Sequence, residues 1–174
     1  MSHAHLVNVL GALGLALADR LSEAAERAGG SSAAAALVTL YGTRAGIRID
    51  GLARVVSLSP SGAVRLVDRL EADGLVERRR GADQRSTALY LTPAGRRSAR
   101  RVLAERDGAM HSLLALLTDD QQAVLGHLAD RLLRELAAEP AAEGRLCRIC
   151  DLEACGRSRG DCPVARPRTR RAAF

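Results

Sequence analysis

Apolar residues recur every three or four positions along most of this 174-residue chain, which predicts a mainly α-helical fold. The spacing is clearest near the N-terminus, where Leu6, Leu10, Leu13, Leu17 and Leu21 would line one side of a helix. Capping residues, prolines and glycines divide the rest of the pattern into further helices. The predicted helices cover residues 4–28, 31–43, 51–56, 60–72, 93–117 and 118–139.

One segment in the middle of the chain breaks this helical spacing. Gly74 ends the fourth predicted helix, because glycine takes a positive φ at little cost, and an extended stretch begins at Leu75. A turn at residues 81–83 reverses the chain into residues 86–92, where side chains alternate as in a strand. The pattern therefore predicts a small β-hairpin. Its first strand carries three consecutive arginines, Arg78, Arg79 and Arg80.

The helix before this hairpin has the features of a helix that enters a DNA groove. Ser59 is its predicted N-cap, and Pro60 at the first helical position loses no hydrogen bond. Helical spacing directs one stripe inward, made of Ala63, Leu66, Val67 and Leu70. The opposite face carries small and charged residues, namely Ser61, Gly62, Arg65, Asp68 and Arg69. Such a face can enter the major groove.

The order helix, turn, helix, strand, arginine-rich turn, strand resembles the MarR family of winged-helix transcription regulators. The resemblance covers roughly residues 5–138. It is most specific at Leu70, Glu71, Gly74, Leu75, Val76, Asp83, Arg85, Leu91, Thr92 and Gly95. It implies a winged helix-turn-helix, mainly α with a β-hairpin wing, and dimerisation helices from both termini. The sequence departs from the family at Ser57, where a glycine often occupies the turn before the recognition helix.

Charge agrees with a nucleic-acid partner. The formal net charge is +6, and all 26 basic residues are arginines. Residues 65–101 contain ten arginines against five acidic residues, and residues 145–174 contain eight against three. Clustering on a recognition helix and its wing favours a DNA-binding surface over a merely solvated one. With only 2% aromatic residues, the core must be built from Leu, Val and Ala.

Roles for individual residues follow from side-chain chemistry and, for the wing, from the resemblance. Arg65 is the predicted base-reading residue, because its guanidinium fits guanine O6 and N7. Arg69 is expected to hold phosphate, and Arg54 is expected either to do so or to face solvent. The resemblance assigns Arg85 to the minor groove, with Asp83 orienting it. The complete predicted DNA-binding set is Arg54, Ser59, Ser61, Gly62, Arg65, Arg69, Arg80, Asp83 and Arg85.

The last helices carry more apolar surface than one small domain can bury. The residues concerned are Leu103, Met110, Leu113, Leu114, Leu117, Val124, Leu125, Leu128, Leu132, Leu133 and Leu136. The resemblance implies that the first and last helices join two subunits. A homodimer would then present two recognition helices to a pseudo-palindromic site of double-stranded DNA.

The N-terminal apolar run imitates a secretion signal. No Lys or Arg precedes the run, and its helical spacing continues beyond it as in a packed helix. The run is also interpreted as too short to span a membrane. We therefore expect neither a leader peptide nor a membrane span, and we expect a cytoplasmic protein.

All four cysteines of the chain lie within sixteen residues near the C-terminus. Cys147, Cys150, Cys155 and Cys162 follow the pattern C-x2-C-x4-C-x6-C, with Gly156 and Gly160 available for tight turns. Four thiolates suit tetrahedral zinc, which is the favoured cofactor. An iron-sulfur cluster is the main alternative, and a thiol-disulfide switch or an unliganded segment stays open. Permanent disulfides are not expected in a cytosolic DNA-binding protein.

These patterns divide the chain into three parts. Residues 1–140 form the DNA-binding and dimerisation domain, residues 145–164 the four-cysteine metal module, and residues 165–174 a basic tail predicted to be disordered. The predicted function is sequence-specific transcriptional regulation without catalysis, and the resemblance implies repression. The family commonly binds small anionic or phenolic effectors, but no residue here identifies one.

Two other functions compete with this prediction. A metal-dependent adaptor would use the cysteine module to bind another protein. A redox enzyme would use Cys147 and Cys150 as a dithiol, although that role normally needs a βαβ pattern that the chain lacks.

Overall fold

The computed structural model describes residues 2–27, 29–43, 46–81, 86–138 and 142–165. Within these ranges the chain forms the predicted mainly helical fold with an antiparallel hairpin. The helices are α1 (His3–Glu26), α2 (Ser31–Tyr41), α3 (Ile49–Val56), α4 (Pro60–Ala72), α5 (Pro93–Leu114), α6 (Asp119–Leu136) and α7 (Ala142–Cys147). The strands are β1 (Val76–Arg80) and β2 (Thr87–Leu91), and a short 3-10 helix lies at Arg157–Arg159. Only α7 and the 3-10 helix were not predicted.

The main core joins the helix-turn-helix to the hairpin. Its largest fully buried side chains come one each from α2, α3, α4, β1 and β2, namely Leu37, Leu52, Val67, Val76 and Leu89. The buried residues of α2 include alanines, whose side chains are small, so neighbouring elements can approach this helix closely. The prediction of a core built from Leu, Val and Ala is confirmed.

The turn between α3 and α4 holds one residue in an unusual conformation. Ser57 ends α3 with φ 55° and ψ 43°, and among the described residues it is the one non-glycine with positive φ. A left-handed conformation is unfavourable for a residue with a Cβ atom, and glycine avoids this cost. The geometry explains why glycine is usual in this turn, and it shows that Ser57 can replace it.

A small group of hydrogen bonds fixes the path from α4 through the hairpin into α5. The Thr92 hydroxyl donates to the Gly74 carbonyl at 2.7 Å and accepts from the Gly95 N–H at 3.0 Å. Gly95 lies so close to this junction that a Cβ atom there would be 1.9 Å from the Leu75 carbonyl oxygen. These residues of the family motif therefore have a structural role.

The hairpin has a third extended partner that the sequence did not predict. Ile47 forms an isolated antiparallel bridge with Leu89, in which the Leu89 N–H donates to the Ile47 carbonyl at 2.9 Å. Gly46, with φ 76°, precedes the bridge, and a side chain there would collide with the Tyr90 ring. A bridge of one residue has no periodicity, so sequence patterning could not reveal it.

Helices α1 and α6, which we call the terminal helices, are far more exposed than this core. Every described residue from Ser2 to Ala16 is exposed, and α6 buries none of its 18 residues. The last turns of α1 do pack, because Ala25 joins Val38, Val102 and Leu103 in a second buried cluster. Leu103, predicted among the surplus apolar residues, is therefore buried within one chain.

The length of α1 corrects one argument from the sequence. With 24 residues it is long and apolar enough, by length and composition alone, to cross a membrane. The interpretation of this run as too short to span was therefore wrong. The prediction that no membrane is involved now depends on the packing of the last turns of α1 against α5, where Arg27 pairs with Glu105 at 2.9 Å.

Candidate functional site

The recognition helix α4 shows the two faces that its sequence predicts. The inward stripe of Ala63, Leu66, Val67 and Leu70 is buried. Ser61, Arg65, Asp68 and Arg69 are exposed on the other side, and Gly62 is half-buried. The hydrophobic stripe joins α4 to α3 through the main core. The outer face is therefore held at a fixed angle to the domain and is free to meet a partner.

Small residues shape the N-terminal end of α4. The Ser59 hydroxyl caps the helix by accepting the Gly62 N–H at 3.1 Å, as predicted, and it lies 3.3 Å from the Ser61 hydroxyl. A Cβ atom at Gly62 would come within 3.1 Å of the Ser59 oxygen. Gly62 therefore protects the helix cap, in addition to leaving room for close approach of DNA.

The predicted DNA-binding arginines of α3 and α4 differ in whether an acidic side chain forms an ion pair with them. Arg65 and Arg69 are exposed and form no ion pair with another described residue. Arg54, on α3, is 72% exposed, and its guanidinium lies 3.7 Å from the Asp50 carboxylate. Arg65 and Arg69 therefore offer the stronger positive charge at this surface.

The first arginine of the wing has a structural role that the sequence analysis missed. The Arg78 guanidinium donates to Asp68 of α4 at 2.6 Å and also pairs with Glu71 of the same helix. The hydrogen bond to Asp68 is the main reason that the pKa of Arg78 is raised. Asp68 and Glu71 lie one helical turn apart, so both can reach one arginine after the Gly74 turn. This clamp fixes the wing against the recognition helix.

Arg79 and Arg80, the other two arginines of β1, take no part in this clamp. Arg79 lies 5.5 Å from the centre of the Tyr90 ring and pairs with Glu77. Arg80 is exposed at the end of β1, where the Gly81 N–H closes the hairpin on the Ser86 carbonyl at 2.8 Å. Asp83 and Arg85, the predicted minor-groove pair, lie outside the described residues, so their roles stay predictions.

The cysteines belong to a segment that packs on the winged-helix domain. We call residues 142–165 the cysteine segment. Gly144 of α7 lies against α3, where an added Cβ atom would be 3.3 Å from the Val55 Cγ2 atom. Leu152 covers Gly42 at the end of α2, and Ile149 packs against the main core. Arg106 of α5 donates to the Ile149 carbonyl at 2.8 Å.

The four thiols form two close pairs. Cys147 lies beside Cys150, and Cys155 lies beside Cys162, close enough for each to affect the pKa of its neighbour. The Cys150 thiol donates to the Leu146 carbonyl at 3.8 Å, and the Cys155 thiol donates to the Leu152 carbonyl at 3.6 Å. The neighbouring Cys147 lowers the pKa of Cys150 to about 6, against the effect of burial and with help from Arg106 and Arg148. The neighbouring Cys150, together with burial, raises the pKa of Cys147.

The donor set suits a soft metal ion in its chemistry. Burial raises the pKa of the Cys155 thiol, and the nearby Cys162 and Cys150 add to this effect. Gly156 and Gly160 adopt the predicted left-handed turns between the last two cysteines, with φ 70° and 75°. Yet no group of three His, Cys, Asp or Glu side chains within the described ranges converges as metal ligands do. A four-sulfur site would need the two pairs to come closer.

An exposed arginine-bearing helix on a buried helix-turn-helix core, followed by a basic two-stranded wing, defines a winged-helix DNA-binding protein. The model of the MarR family matches residues 31–87, which run from α2 to the first residue of β2. A search of curated proteins found no match. Residues 31–87 of this chain thus resemble the MarR family of transcription regulators.

Solved structures share this fold over about three quarters of the chain. YusO from Bacillus subtilis is 24% identical, with a TM-score of 0.63 over 76% of this chain and 97% of its own. The MarR family protein Rv2887 of Mycobacterium tuberculosis, solved in complex with DNA, is 26% identical, with a TM-score of 0.57 over 76% of this chain and 98% of its own. CouR from Rhodococcus jostii, solved bound to p-coumaroyl-CoA, is 27% identical, with a TM-score of 0.57 over 71% of this chain and 86% of its own.

The comparisons support a DNA-binding transcription regulator and argue against an enzyme. MarR proteins are regulators, and a MarR family protein 26% identical to this chain has been solved in complex with DNA. The dithiol enzyme that the Cys147 and Cys150 spacing left open is therefore not supported.

Proposed function

We propose that two copies of this chain form a cytoplasmic homodimer that binds a pseudo-palindromic operator and represses transcription. The observation that carries the proposal is the state of α6, which has no buried residue although it is rich in leucine. Its exposed apolar side chains are Val124, Leu125, Leu128, Leu132 and Leu136. A soluble protein rarely leaves so large an apolar stripe uncovered.

The exposed part of α1 provides a second apolar surface. Leu6, Val9, Leu10 and Leu13 are each close to half exposed. A second copy of the chain would offer the same two helices, so an isologous interface could cover all of these residues. A membrane could cover α1 but gives no reason for the stripe along α6. We therefore assign both surfaces to a subunit interface.

A dimer explains why one recognition helix per chain is sufficient. Two helices related by a two-fold axis read half-sites about one helical turn apart, which is roughly 34–36 Å. Arg65 would contact base edges, and Arg69 and Arg80 would contact phosphates. Arg85, with Asp83 beside it, would enter the minor groove. Repression follows if the operator overlaps a promoter, as the resemblance to MarR regulators implies.

We also propose that the four cysteines hold a structural zinc ion, with an iron-sulfur cluster as the alternative. Four soft sulfur donors and two close thiol pairs support a metal of this class. Anaerobic purification followed by metal analysis tests the proposal. One colourless zinc per chain is expected. Iron with acid-labile sulfide would select the cluster, and neither metal would contradict both.

The dimer is tested by Leu128→Glu, which places a charge in the apolar stripe. We expect this variant to stay folded, to sediment as a monomer and to lose most of its operator affinity. Ala123→Glu is the matched control, because Ala123 is exposed on the opposite side of α6. A dimeric Leu128→Glu variant with unchanged affinity would remove α6 from the interface.

The operator and the sign of regulation need two further measurements. Selection from random duplexes is expected to return two inverted half-sites. A reporter gene placed downstream of such a site should be less active when the protein is present. Selection of a single half-site would contradict the dimeric reading, and an increase in reporter activity would contradict repression.

A further inference from the structure

The cysteine segment lies against the first helix of the helix-turn-helix. An added Cβ atom at Gly144 of α7 would be 3.3 Å from the Cγ2 atom of Val55, a half-buried residue of α3. Leu52 and Val56 of α3 meet α4 in the main core, so α7 and the recognition helix contact α3 through different residues. In a helix-turn-helix the second helix enters the major groove, and the first crosses the DNA backbone. A segment docked on α3 is therefore held near the DNA strand that α3 crosses.

Helix α3 already carries positive charge to this place. Arg48 is its N-cap, Arg54 lies in its last turn, and both are exposed. The Asp50 carboxylate serves both guanidinium groups, at 3.3 Å from Arg48 and 3.7 Å from Arg54. One carboxylate cannot balance two arginines, so a positive charge remains on this surface. A basic group beside α3 would extend it.

The end of α7 provides two exposed arginines in this position, Arg145 and Arg148. Arg145 follows Gly144 directly, and Arg148 is four residues, or about one helical turn, beyond Gly144. The Arg148 guanidinium donates to the Arg145 carbonyl at 2.5 Å, which holds this side chain at the end of the helix. That bond uses one of the five N–H donors of a guanidinium. Both arginines can therefore bring charge and hydrogen-bond donors next to α3.

The acidic side chains described in the segment engage other groups. Asp151 accepts two backbone N–H groups of the turn that follows it, at 2.9 and 3.3 Å, and Asp161 pairs with Arg159 at 3.1 Å. Asp151 and Glu153 line the cavity between the segment and α2, and Glu153 also acts on Arg100 of α5. The charge of the segment is therefore divided, with carboxylates toward α2 and exposed arginines at the end of α7.

We propose that the end of α7 is a further part of the DNA-binding surface, where Arg145 and Arg148 contact phosphates of the DNA strand that α3 crosses. Guanidinium groups suit phosphate because they donate paired hydrogen bonds as well as carrying charge. Such contacts add affinity but carry no sequence information. The inference rests on the proposed DNA-binding regulator, adds a contact outside the winged helix, and requires no change in the docked segment.

The first experiment compares the salt dependence of operator binding by the full chain and by an Arg145→Gln, Arg148→Gln double variant. Fluorescence anisotropy on a duplex selected from random sequences gives the affinity between about 50 and 200 mM salt. Each phosphate contact contributes about 0.9 to the slope of log affinity against log salt concentration. We expect the slope of the double variant to be smaller by about 1.8 per chain. Its discrimination against single-base operator variants should stay unchanged.

Two further variants show whether position or charge alone is responsible. Arg159→Gln is the matched control, because it removes the same charge from the same segment at a residue that pairs with Asp161. It should leave the slope unchanged. Arg148→Lys should keep most of the slope, because lysine binds phosphate as a point charge. Residues 166–174, which contain four arginines, are the same in every protein, so their contribution cancels.

Single neutral methylphosphonate groups in the operator locate the contacts. With the unaltered chain, neutralising a contacted phosphate should weaken binding. The double variant should lose this sensitivity at one or two positions in each half-site and keep it elsewhere. A general loss of positive charge would instead lower the sensitivity at all phosphates alike.

The outcomes distinguish this inference from the proposed function. An unchanged slope for the double variant, or an equal decrease for Arg159→Gln, would overturn the inference and leave DNA binding intact. A double variant that keeps the full pattern of phosphate sensitivity would do the same. Failure of the unaltered chain to bind any selected duplex would instead refute the proposed function.

Discussion

The winged-helix core and the terminal helices differ in what completes them. In the core, one chain supplies every partner, and Leu37, Leu52, Val67, Val76 and Leu89 are fully buried. In α6 no residue is buried, and α1 is exposed from His3 to Ala16. If a second copy covers α1 and α6, as proposed, the difference teaches that reading DNA and assembling subunits are separate tasks in this molecule. Substitutions can disrupt the core within one chain, whereas the exposed parts of α1 and α6 should be sensitive only where a second copy would meet them.

The largest effect should come from Gly95→Ala, which breaks the core at the junction of α4, the wing and α5. The added Cβ atom would lie 1.9 Å from the Leu75 carbonyl oxygen, which is backbone and cannot rotate away. We expect the free energy of unfolding to fall by about 3 kcal/mol or more, at the upper end for overpacking. Urea denaturation measures it.

Gly108→Ala is the control for this prediction. Gly108 lies in the same helix, and an added Cβ atom there meets nothing within 4 Å. Alanine should stabilise the helix by about 0.5–1 kcal/mol at such a position. Equal effects of the two substitutions would show that the junction is not tightly packed.

Leu132→Ser tests the other side of the comparison. Leu132 is 53% exposed in one chain, so the fold of the chain should be unaffected. If it lies in the dimer interface, the dissociation free energy of the dimer should fall by about 1–3 kcal/mol, as for a buried interface residue. Sedimentation across a concentration series measures the change. A loss of secondary structure, with unchanged dimerisation of the folded fraction, would contradict this division of tasks.

Arg65→Ala and Arg80→Ala sharpen the comparison at the DNA surface. Removing a base-reading arginine should relax discrimination at one base position by about 1–3 kcal/mol. Removing a phosphate-binding arginine should weaken all sequences by a similar factor and lower the salt dependence. Affinities for a set of single-base operator variants distinguish the two. Uniform losses for both arginines would show that Arg65 reads no base.

The smallest predicted effect is a gain in stability from Ser57→Gly. Ser57 has φ 55°, and a left-handed conformation costs a residue with a Cβ atom about 1–2 kcal/mol. Glycine also has more freedom to lose on folding, so we expect a net gain of about 0.5–1 kcal/mol. Ser112→Gly, in the last turn of α5, should instead lower stability, because Ser112 is helical and has no positive φ that glycine would relieve. A loss of stability at residue 57 would mean that the turn needs the serine side chain.

Local signals predicted the winged-helix core well. The Ser59 cap and Pro60 placed α4 correctly, and the Thr118 and Gln121 capping box placed the start of α6. Alternation of side chains placed β2. These signals act over a few residues and do not depend on the rest of the fold, which is why they could be interpreted from one sequence.

Contacts between distant segments could not be predicted in the same way. Nothing near Leu152 indicates that it covers Gly42, and nothing near Ile47 indicates its bridge to Leu89. The ion pairs of Arg78 with Asp68 and Glu71 could have been predicted from the sequence. Two acidic residues one helical turn apart precede a glycine turn, and the arginine follows that turn. The wing roles of Asp83 and Arg85 and the metal site of the four cysteines stay predictions.

The most direct test of the central claim is the mass of the complex with a duplex that carries two inverted half-sites, measured by sedimentation equilibrium. If α1 and α6 are completed by a second copy of the chain, saturation should give two chains per duplex. The same duplex with one half-site scrambled should bind much more weakly. One chain per duplex at saturation, with equal affinity for both duplexes, would contradict the claim.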